Sequence, residues 1–191
     1  MKISSTRIAG LVSVDTTPFI DHRGEFSRYF CVQELAPVLE KRRIAQINHS
    51  MTRMVGALRG LHFQRPPHAE MKLVRCLRGR IWDVAVDLRQ ESATYLEWHA
   101  EELSAANRRM LAIPEGFAHG FQALEPDSEI LYLVTAPYSP DSEGGLRHDD
   151  PAISITWPLP VTDISARDRA WPRLDTSTAR PAPDPSKEGS T

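Results

Sequence analysis

The sequence predicts an all-β domain, either a sandwich or a barrel. Most apolar residues fall in short runs that alternate with polar residues, and Gly, Pro, Asn or Asp separates one run from the next. Helical patterning is weak and is confined mainly to 33–42, where Pro37 limits a helix to a few turns. Together these features favour packed sheets over a helical or an α/β fold.

The clearest strand signal lies between Trp82 and Leu88. Alternate residues there are apolar and share one face, so Asp83 and Asp87 share the opposite face. Further strands are predicted at 44–49, 57–63, 72–77, 94–103, 110–113, 117–124 and 130–135. The turn residues between these runs make hairpins the simplest connections.

Length and composition predict one folded domain followed by a tail. The 191 residues are 41% hydrophobic and 25% charged, which is ordinary for a globular domain. From residue 176 onward the chain is rich in Pro, Ser, Thr and Asp and almost lacks apolar residues. We therefore expect a folded domain over 1–175 and a disordered tail over 176–191.

The net charge and the cysteine content limit the kinds of binding partner and the cellular compartment that we expect. A formal net charge of -2 and a pI near 6.4 give no general basic field, so a nucleic-acid partner is not expected. Residues 8–14 lack a signal-peptide cleavage pattern, and no apolar stretch approaches membrane-span length, so no membrane partner is expected. The spacing of Cys31 and Cys76 suggests neither a disulfide framework nor a zinc site, which favours reduced thiols in the cytoplasm.

One candidate pair is Arg59 and His62. They are three positions apart along the chain, so a regular strand would place them on opposite faces. Gly60 lies between them and could bend or bulge the strand so that both face one cavity. Taken alone, His62 fits a packed or surface histidine better than a catalyst.

Three other side chains could carry chemistry. The Lys72 ammonium could stabilise an oxyanion at a single oxygen, or it could be a solvated strand end. His119 alone fits a structural role better than a ligand-binding one, although the neighbouring Gly120 would leave room for a ligand. Tyr132 lies among residues that look buried, so its hydroxyl needs a polar partner or a cavity.

The order and spacing of these stretches resemble the dTDP-4-dehydrorhamnose 3,5-epimerase family over about residues 5 to 172. The matching stretches are 21–24, 46–50, 58–64, 72–77, 114–121, Tyr132, 139–140, Glu143, 149–151, 157–158 and 164–168. The resemblance implies a cupin-type jelly roll, or double-stranded β-helix, with short peripheral helices. It also implies a homodimer that binds a nucleotide-sugar substrate.

The resemblance further implies the reaction and the catalytic residues. The implied reaction is epimerisation at C3, C5 or both of a nucleotide-linked 4-keto-6-deoxyhexose. The leading candidate is the conversion of dTDP-4-dehydro-6-deoxyglucose to dTDP-4-dehydrorhamnose. His62 would be the general base, oriented by Asp168, and Tyr132 the general acid on the opposite face of the sugar. Lys72 would stabilise the enolate. The substrate-binding residues would be Arg23, reaching across a dimer interface, with Gln46, Asn48, Arg59, His119, Glu143 and Arg167.

This chemistry requires no cofactor. A 4-keto group acidifies the hydrogens on both neighbouring carbons, so a base can remove one and leave an enolate that a nearby cation stabilises. An acid on the other face then returns a proton. No redox step is needed, which agrees with the lack of a Gly-rich dinucleotide loop in the sequence.

Departures from the family pattern leave two questions open. Arg28 stands where many members have Glu, and Ile47 replaces a common Asp, which leaves the nucleotide open. A common Tyr-Tyr pair is reduced to Pro137-Tyr138, which leaves epimerisation at a single carbon as an alternative.

Two other functions remain as alternatives. A metal-dependent cupin is suggested by Pro114-Glu115-Gly116 followed by His119, but His62 is followed by Phe63-Gln64, so too few ligands remain and no metal is expected. The second alternative is a non-catalytic module that binds sugar nucleotides, because a fold alone does not establish a function.

Overall fold

The computed structural model describes residues 1–174, which form two antiparallel sheets and a separate hairpin. The strands are β1 (Lys2–Ser5), β2 (Val12–Asp15), β3 (Phe19–Asp21), β4 (Gly24–Phe26), β5 (Gln46–Thr52), β6 (Leu58–Gln64), β7 (Lys72–Arg78), β8 (Arg80–Asp87), β9 (Trp98–Ser104), β10 (Met110–Ile113), β11 (Phe117–Ala123), β12 (Ser128–Val134) and β13 (Glu143–Gly145). The helices are α1 (Ala36–Leu39) and α2 (Ala166–Ala170), with a 3₁₀ turn at Pro140–Ser142. The first sheet has the order β1-β2-β10-β7-β12-β5 and the second β13-β6-β11-β8-β9, while β3 pairs only with β4.

The predicted all-β jelly roll is confirmed. Every strand predicted from alternation is present, from β5 through β12. The short strands β1 to β4 and β13 were not predicted, because alternation hardly shows over three or four residues. Strand β10 is equally short, but its four residues are all apolar and so were predicted as a strand. The helix expected within 33–42 is the single turn α1. The expected tail at 176–191 lies outside the described residues.

Strand β8 shows how alternation separates the two faces of a sheet. Ile81 and Ala85 pack into the core between the sheets, as their shared face requires. Val84 and Val86 pack on the outer face of the second sheet, against the segment that includes Ile153. The inward face therefore also carries Asp83, whose side chain is fully buried.

The core has three layers, one between the sheets and one on the outer face of each. The middle layer includes Leu111, Phe121 and Ile130, and side chains of this kind contribute about 1.5–3 kcal/mol each when fully buried. Leu35 and neighbouring residues of α1 cover the first sheet. Among residues 1–174, no helix has the length and apolar character needed to cross a bilayer.

Candidate active site

A cavity of about 1190 Å³ lies beside the middle layer of the core, and Phe121 and Ile130 belong to both. Its walls come from β5, β6, β7, β11 and β12, together with residues 163–165 and two residues of α2. All the site residues predicted from the sequence line this cavity, with the exception of Arg23. A cavity of this size can accommodate a ligand larger than a simple sugar.

A bulge in β6 brings Arg59 and His62 to the same cavity. His62 pairs with His119 of β11 and Arg59 with Phe121, so three steps along β6 match two along β11. Gly60 permits this with a φ of +123° and lies so close to β11 that an added Cβ would stand 2.5 Å from the Gly120 Cα. The predicted bulge is confirmed.

Gly120 is required for a different reason from the predicted one. A Cβ at this position would meet the Arg59 carbonyl oxygen at 2.7 Å and the Leu61 side chain at 2.9 Å. The missing side chain therefore allows β6 and β11 to approach each other, rather than leaving space for a ligand.

His62 and Asp168 form a close pair. The His62 Nε2 lies 2.6 Å from Oδ1 of Asp168, and the Gly60 backbone N–H donates to Oδ2 at 3.3 Å. Burial disfavours the charged carboxyl, but the hydrogen bonds from His62 and Gly60 outweigh it, so the pKa of Asp168 is lowered. Asp168 is thus an anion that engages Nε2 and leaves Nδ1 of His62 for proton transfer.

The position of Asp168 depends on the start of α2. Ser165 is the N-cap residue, and its hydroxyl oxygen accepts a hydrogen bond from the Asp168 backbone N–H at 3.0 Å. The side chain of Asp168 is only 4% exposed, whereas that of His62 is 26% exposed. The carboxylate is therefore held inside, while the imidazole reaches the cavity.

A second imidazole–carboxylate pair adjoins the first. His119 Nε2 lies 2.8 Å from Oδ1 of Asp83, and neither residue is appreciably exposed. Because His119 and His62 are cross-strand partners, the two imidazoles are neighbours on the cavity wall. His119 lines the cavity, so it borders the space that a ligand would occupy.

Tyr132 lies on β12 between Asn48 of β5 and Val74 of β7. Burial raises the pKa of its phenol. The nearby Arg59 cation lowers this pKa, and the Glu70 anion raises it further. The phenol is therefore protonated at neutral pH and can act as a proton donor. Its hydroxyl faces a cavity, which the buried character of the neighbouring residues required.

Lys72 is largely buried and paired. Its Nζ lies 3.1 Å from Oε1 of Glu70 and donates to the His62 carbonyl oxygen at 3.2 Å. Its side chain is 12% exposed, which rules out a solvated strand end. The ammonium is thus fixed beside the strand that carries His62.

Glu143 and Arg167 line the part of the cavity that opens to solvent, since the Arg167 side chain is 55% exposed. Arg167 Nη1 lies 3.0 Å from Oε2 of Glu143, and the Tyr138 hydroxyl donates to the same oxygen at 2.9 Å. The Tyr138 backbone N–H donates to Oε1 of Gln46 at 2.5 Å. These contacts connect β5, β13 and α2 around the entrance.

Three positions that the sequence linked to substrate lie away from the cavity of their own chain. Arg23 is 78% exposed and pairs with Asp21 within the β3–β4 hairpin. Arg28 pairs with Glu34, and Ile47 lies on the face of β5 opposite Gln46 and Asn48. The departures at Arg28 and Ile47 therefore leave the wall of this cavity unchanged.

The sequence segment that resembles a metal motif has other partners here. Glu115 accepts a hydrogen bond from Nε of Arg42 at 2.7 Å and does not line the cavity, while His119 is bonded to Asp83. Within residues 1–174, no group of three or more His, Cys, Asp or Glu side chains is placed to hold a metal ion.

Sequence reasoning missed two residues of the site. Asp83 was assigned a face but no partner, because its bond to His119 depends on the register between β8 and β11. Glu70 is two residues before Lys72, so the two side chains fall on the same side of an extended chain. That spacing of an acid and a base was the available signal.

Comparisons with known proteins identify the family of this chain. A sequence profile of the dTDP-4-dehydrorhamnose 3,5-epimerases matches residues 5–176. The chain belongs to the dTDP-4-dehydrorhamnose 3,5-epimerase family. The family's enzyme from Sinorhizobium fredii is 44% identical over 175 residues, which cover 91% of this chain and 90% of that protein.

Solved structures of similar proteins extend the match to three dimensions. The Bacillus anthracis dTDP-4-dehydrorhamnose 3,5-epimerase, with TDP and PPi bound, has a TM-score of 0.87 at 36% identity and covers 91% of this chain and 99% of its own. The Legionella pneumophila dTDP-6-deoxy-D-glucose-3,5-epimerase, in complex with dTDP-4-keto-L-rhamnose, has a TM-score of 0.86 at 35% identity. The match covers 92% of this chain and 95% of the Legionella chain.

Proposed function

We propose that this member of the epimerase family inverts C3 and C5 of dTDP-4-dehydro-6-deoxyglucose to give dTDP-4-dehydrorhamnose. The observation that carries the proposal is a single cavity that contains the His62–Asp168 pair, the buried ammonium of Lys72 and the protonated phenol of Tyr132. A base, a cation and an acid are the three groups that exchange of a proton next to a ketone requires.

Each inversion takes two proton transfers. Nδ1 of His62 removes the proton from the carbon beside the C4 ketone, and the electron pair of the C–H bond moves to the C4 oxygen. Lys72 stabilises the enolate, and Asp168 stabilises the imidazolium. The Tyr132 hydroxyl then gives its proton to the opposite face of the same carbon, and exchange with solvent returns His62 and Tyr132 to their starting states.

The remaining cavity residues are suited to the nucleotide diphosphate. Arg59 is held by neutral groups, with Nε donating to the Thr52 hydroxyl at 3.0 Å and Nη2 to the Met51 carbonyl at 3.2 Å. Within residues 1–174 no carboxylate pairs with this guanidinium, which leaves it well placed to bind a diphosphate. Gln46, Asn48, Glu143 and Arg167, near the entrance, then hold the nucleoside, and His119 contacts the sugar.

The protein acts as a homodimer in this proposal, with Arg23 entering the partner's cavity. The β3–β4 hairpin exposes Phe19 by 75%, Ile20 by 75% and Phe26 by 63%, and Arg23 lies near its tip. Strand β5 is the edge of the first sheet and exposes Ile47 by 62%. An apolar hairpin and an open apolar edge support pairing between copies of the chain.

The dimer is tested with the double substitution Phe19→Asp and Ile20→Asp, analysed by sedimentation. We expect a monomer with an unchanged fold and at least tenfold weaker dTDP binding, at the low end of what loss of one charge-assisted contact costs. Glu91→Lys, which changes the charge at an exposed position outside the hairpin, serves as the control. A double variant that remains dimeric, or a wild-type monomer, would contradict the assignment.

Deuterium incorporation tests the activity. Incubation of the protein with dTDP-4-dehydro-6-deoxyglucose in deuterated water is expected to place deuterium at both C3 and C5, with product formed by chelator-treated protein at the same rate. Incorporation at one carbon would indicate a single-position epimerase. Loss of activity on chelation would indicate a metal enzyme, and binding without incorporation would leave only a binding module.

We also place the protein in the cytoplasm. Cys31 and Cys76 are both free thiols, which supports a reducing compartment. Fractionation of cells that produce the full chain tests this assignment, and recovery with the membranes or outside the cell would contradict it.

A further inference from the structure

Glu70 is a buried carboxylate in the cavity wall to which the proposed mechanism gives no part. We propose that Glu70 is a positioning residue for the reaction: its carboxylate anchors the Lys72 ammonium beside the sugar carbonyl. This inference rests on the proposed function, because it concerns the same proton transfers.

The geometry of Glu70 is fixed on two sides. Its Oε1 lies 3.1 Å from Lys72 Nζ, and its Oε2 accepts a hydrogen bond from the Gln64 side-chain amide at 2.9 Å. The Glu70 side chain is 10% exposed and that of Lys72 is 12% exposed. Water therefore screens the ion pair poorly, and the carboxylate is held in one orientation.

Gln64 anchors this arrangement to the rest of the site. Its amide nitrogen also donates to the His68 carbonyl at 2.9 Å, and its amide oxygen accepts from the Ser139 N–H at 2.6 Å. Gln64 is on β6, two residues after His62. Its bonds thus connect the strand of the base with the carboxylate that holds the cation.

The Glu70 charge also acts on Tyr132. Burial is the main cause that raises the pKa of this phenol, and the Glu70 anion raises it further, against the opposing effect of Arg59. Neutralising Glu70 therefore lowers the pKa of Tyr132, so the acid is lost at a lower pH. The same change releases Lys72 from its fixed position, since its anionic partner is gone.

The test is Glu70→Gln, which keeps the size of the side chain and an acceptor for Gln64 but removes the charge. We expect the alkaline limb of the kcat profile to move to lower pH, because the Glu70 anion raises the pKa of Tyr132 and glutamine does not. At pH 7, kcat falls about tenfold, as for loss of one charge-assisted hydrogen bond. KM and dTDP affinity stay within about threefold, because no nucleotide contact changes.

Two further variants make the outcome decisive. Glu70→Asp keeps the charge but shortens its reach, so kcat falls while the alkaline limb stays in place, and this variant also serves if Glu70→Gln folds poorly. Glu102→Gln removes an equal charge from an exposed pair with Arg80, outside the cavity, and leaves the profile unchanged. A Glu70→Gln profile that matches wild type would overturn the inference.

The failure of this inference differs from failure of the proposed function. If wild-type protein incorporates no deuterium at C3 or C5, the proposed function is wrong and the role of Glu70 falls with it. If wild type is active and Glu70→Gln shifts neither kcat nor the alkaline limb, only the role of Glu70 is wrong.

Discussion

Replacing Asp168 with asparagine should disable the base through the tautomer of His62. The new side-chain amide must offer its oxygen to the Gly60 N–H, which now donates to Oδ2 of Asp168 at 3.3 Å. The amide N–H₂ then faces Nε2 of His62, at a contact that measures 2.6 Å with the carboxylate. Nε2 becomes the acceptor, so the neutral imidazole carries its proton on Nδ1 and cannot take one from the sugar.

The magnitude follows from the burial of the pair. A hydrogen bond to a charged group contributes about 1.5–3 kcal/mol, and 4% exposure of Asp168 places this one toward the upper part of that range. At about 1.36 kcal/mol for each factor of ten, this loss lowers the rate by roughly 10- to 150-fold. The wrong tautomer lowers the rate further. Because general-base catalysis contributes at most about 10⁴-fold to the rate, the total loss cannot exceed that factor. We therefore expect kcat to fall about 10²- to 10³-fold.

The assay is the initial rate of deuterium incorporation at C3 and C5, followed by NMR, with dTDP affinity from calorimetry. Affinity should stay near the wild-type value, since Arg167 lies 3.8 Å from Asp168 and keeps its closer carboxylate partner, Glu143, at 3.0 Å. Asp15→Asn is the matched control, because Asp15 accepts from Arg109 at 2.8 Å far from the cavity. A kcat for Asp168→Asn within about threefold of wild type would refute the assignment of this pair as the base.

Three further predictions address the acid, the bulge and the thiols. Tyr132→Phe should retain deuterium exchange into the starting sugar while product formation falls about 10²- to 10⁴-fold, and a normal rate of product formation would disprove its role as acid. Gly60→Ala should lower the free energy of unfolding by about 3 kcal/mol or more in denaturant titration, because its φ is +123° and the new Cβ meets β11 backbone; a loss under about 1 kcal/mol would contradict this. In native protein at pH 8, iodoacetamide should modify Cys31 and spare Cys76, whose pKa burial raises to about 11; mass spectrometry that finds both modified would show the prediction to be wrong.

The sequence predicted the fold well because the long strands obey one simple rule. Alternation located β5 through β12, since each of them buries side chains on at least one face and most have seven residues. The β3–β4 hairpin escaped prediction because its three-residue strands expose their apolar residues, which reverses the usual pattern. Helix α2 also escaped, although the spacing of Ser165 and Asp168 is a capping signal that could have indicated it.

Prediction of the site was less complete because it depends on contacts between strands. The local sequence predicted the bulge at Gly60, because a glycine inside a strand often marks a bulge or a close approach of another backbone. The separate roles of His62 and His119 came only from the resemblance to a family, and their carboxylates lie far along the chain, at Asp168 and Asp83. Such pairs require the register of the sheets and the docking of α2, neither of which a single sequence specifies.

The pairing of charges around the cavity has a consequence for how substrate enters and leaves. Lys72 and Arg167 each already hold a carboxylate, so an incoming diphosphate must compete for them. Arg59 is held by a hydroxyl and a carbonyl, which an anion displaces at little electrostatic cost. In the proposed function the phosphates therefore bind at Arg59, whose charge no carboxylate among residues 1–174 neutralises, and added salt weakens that contact.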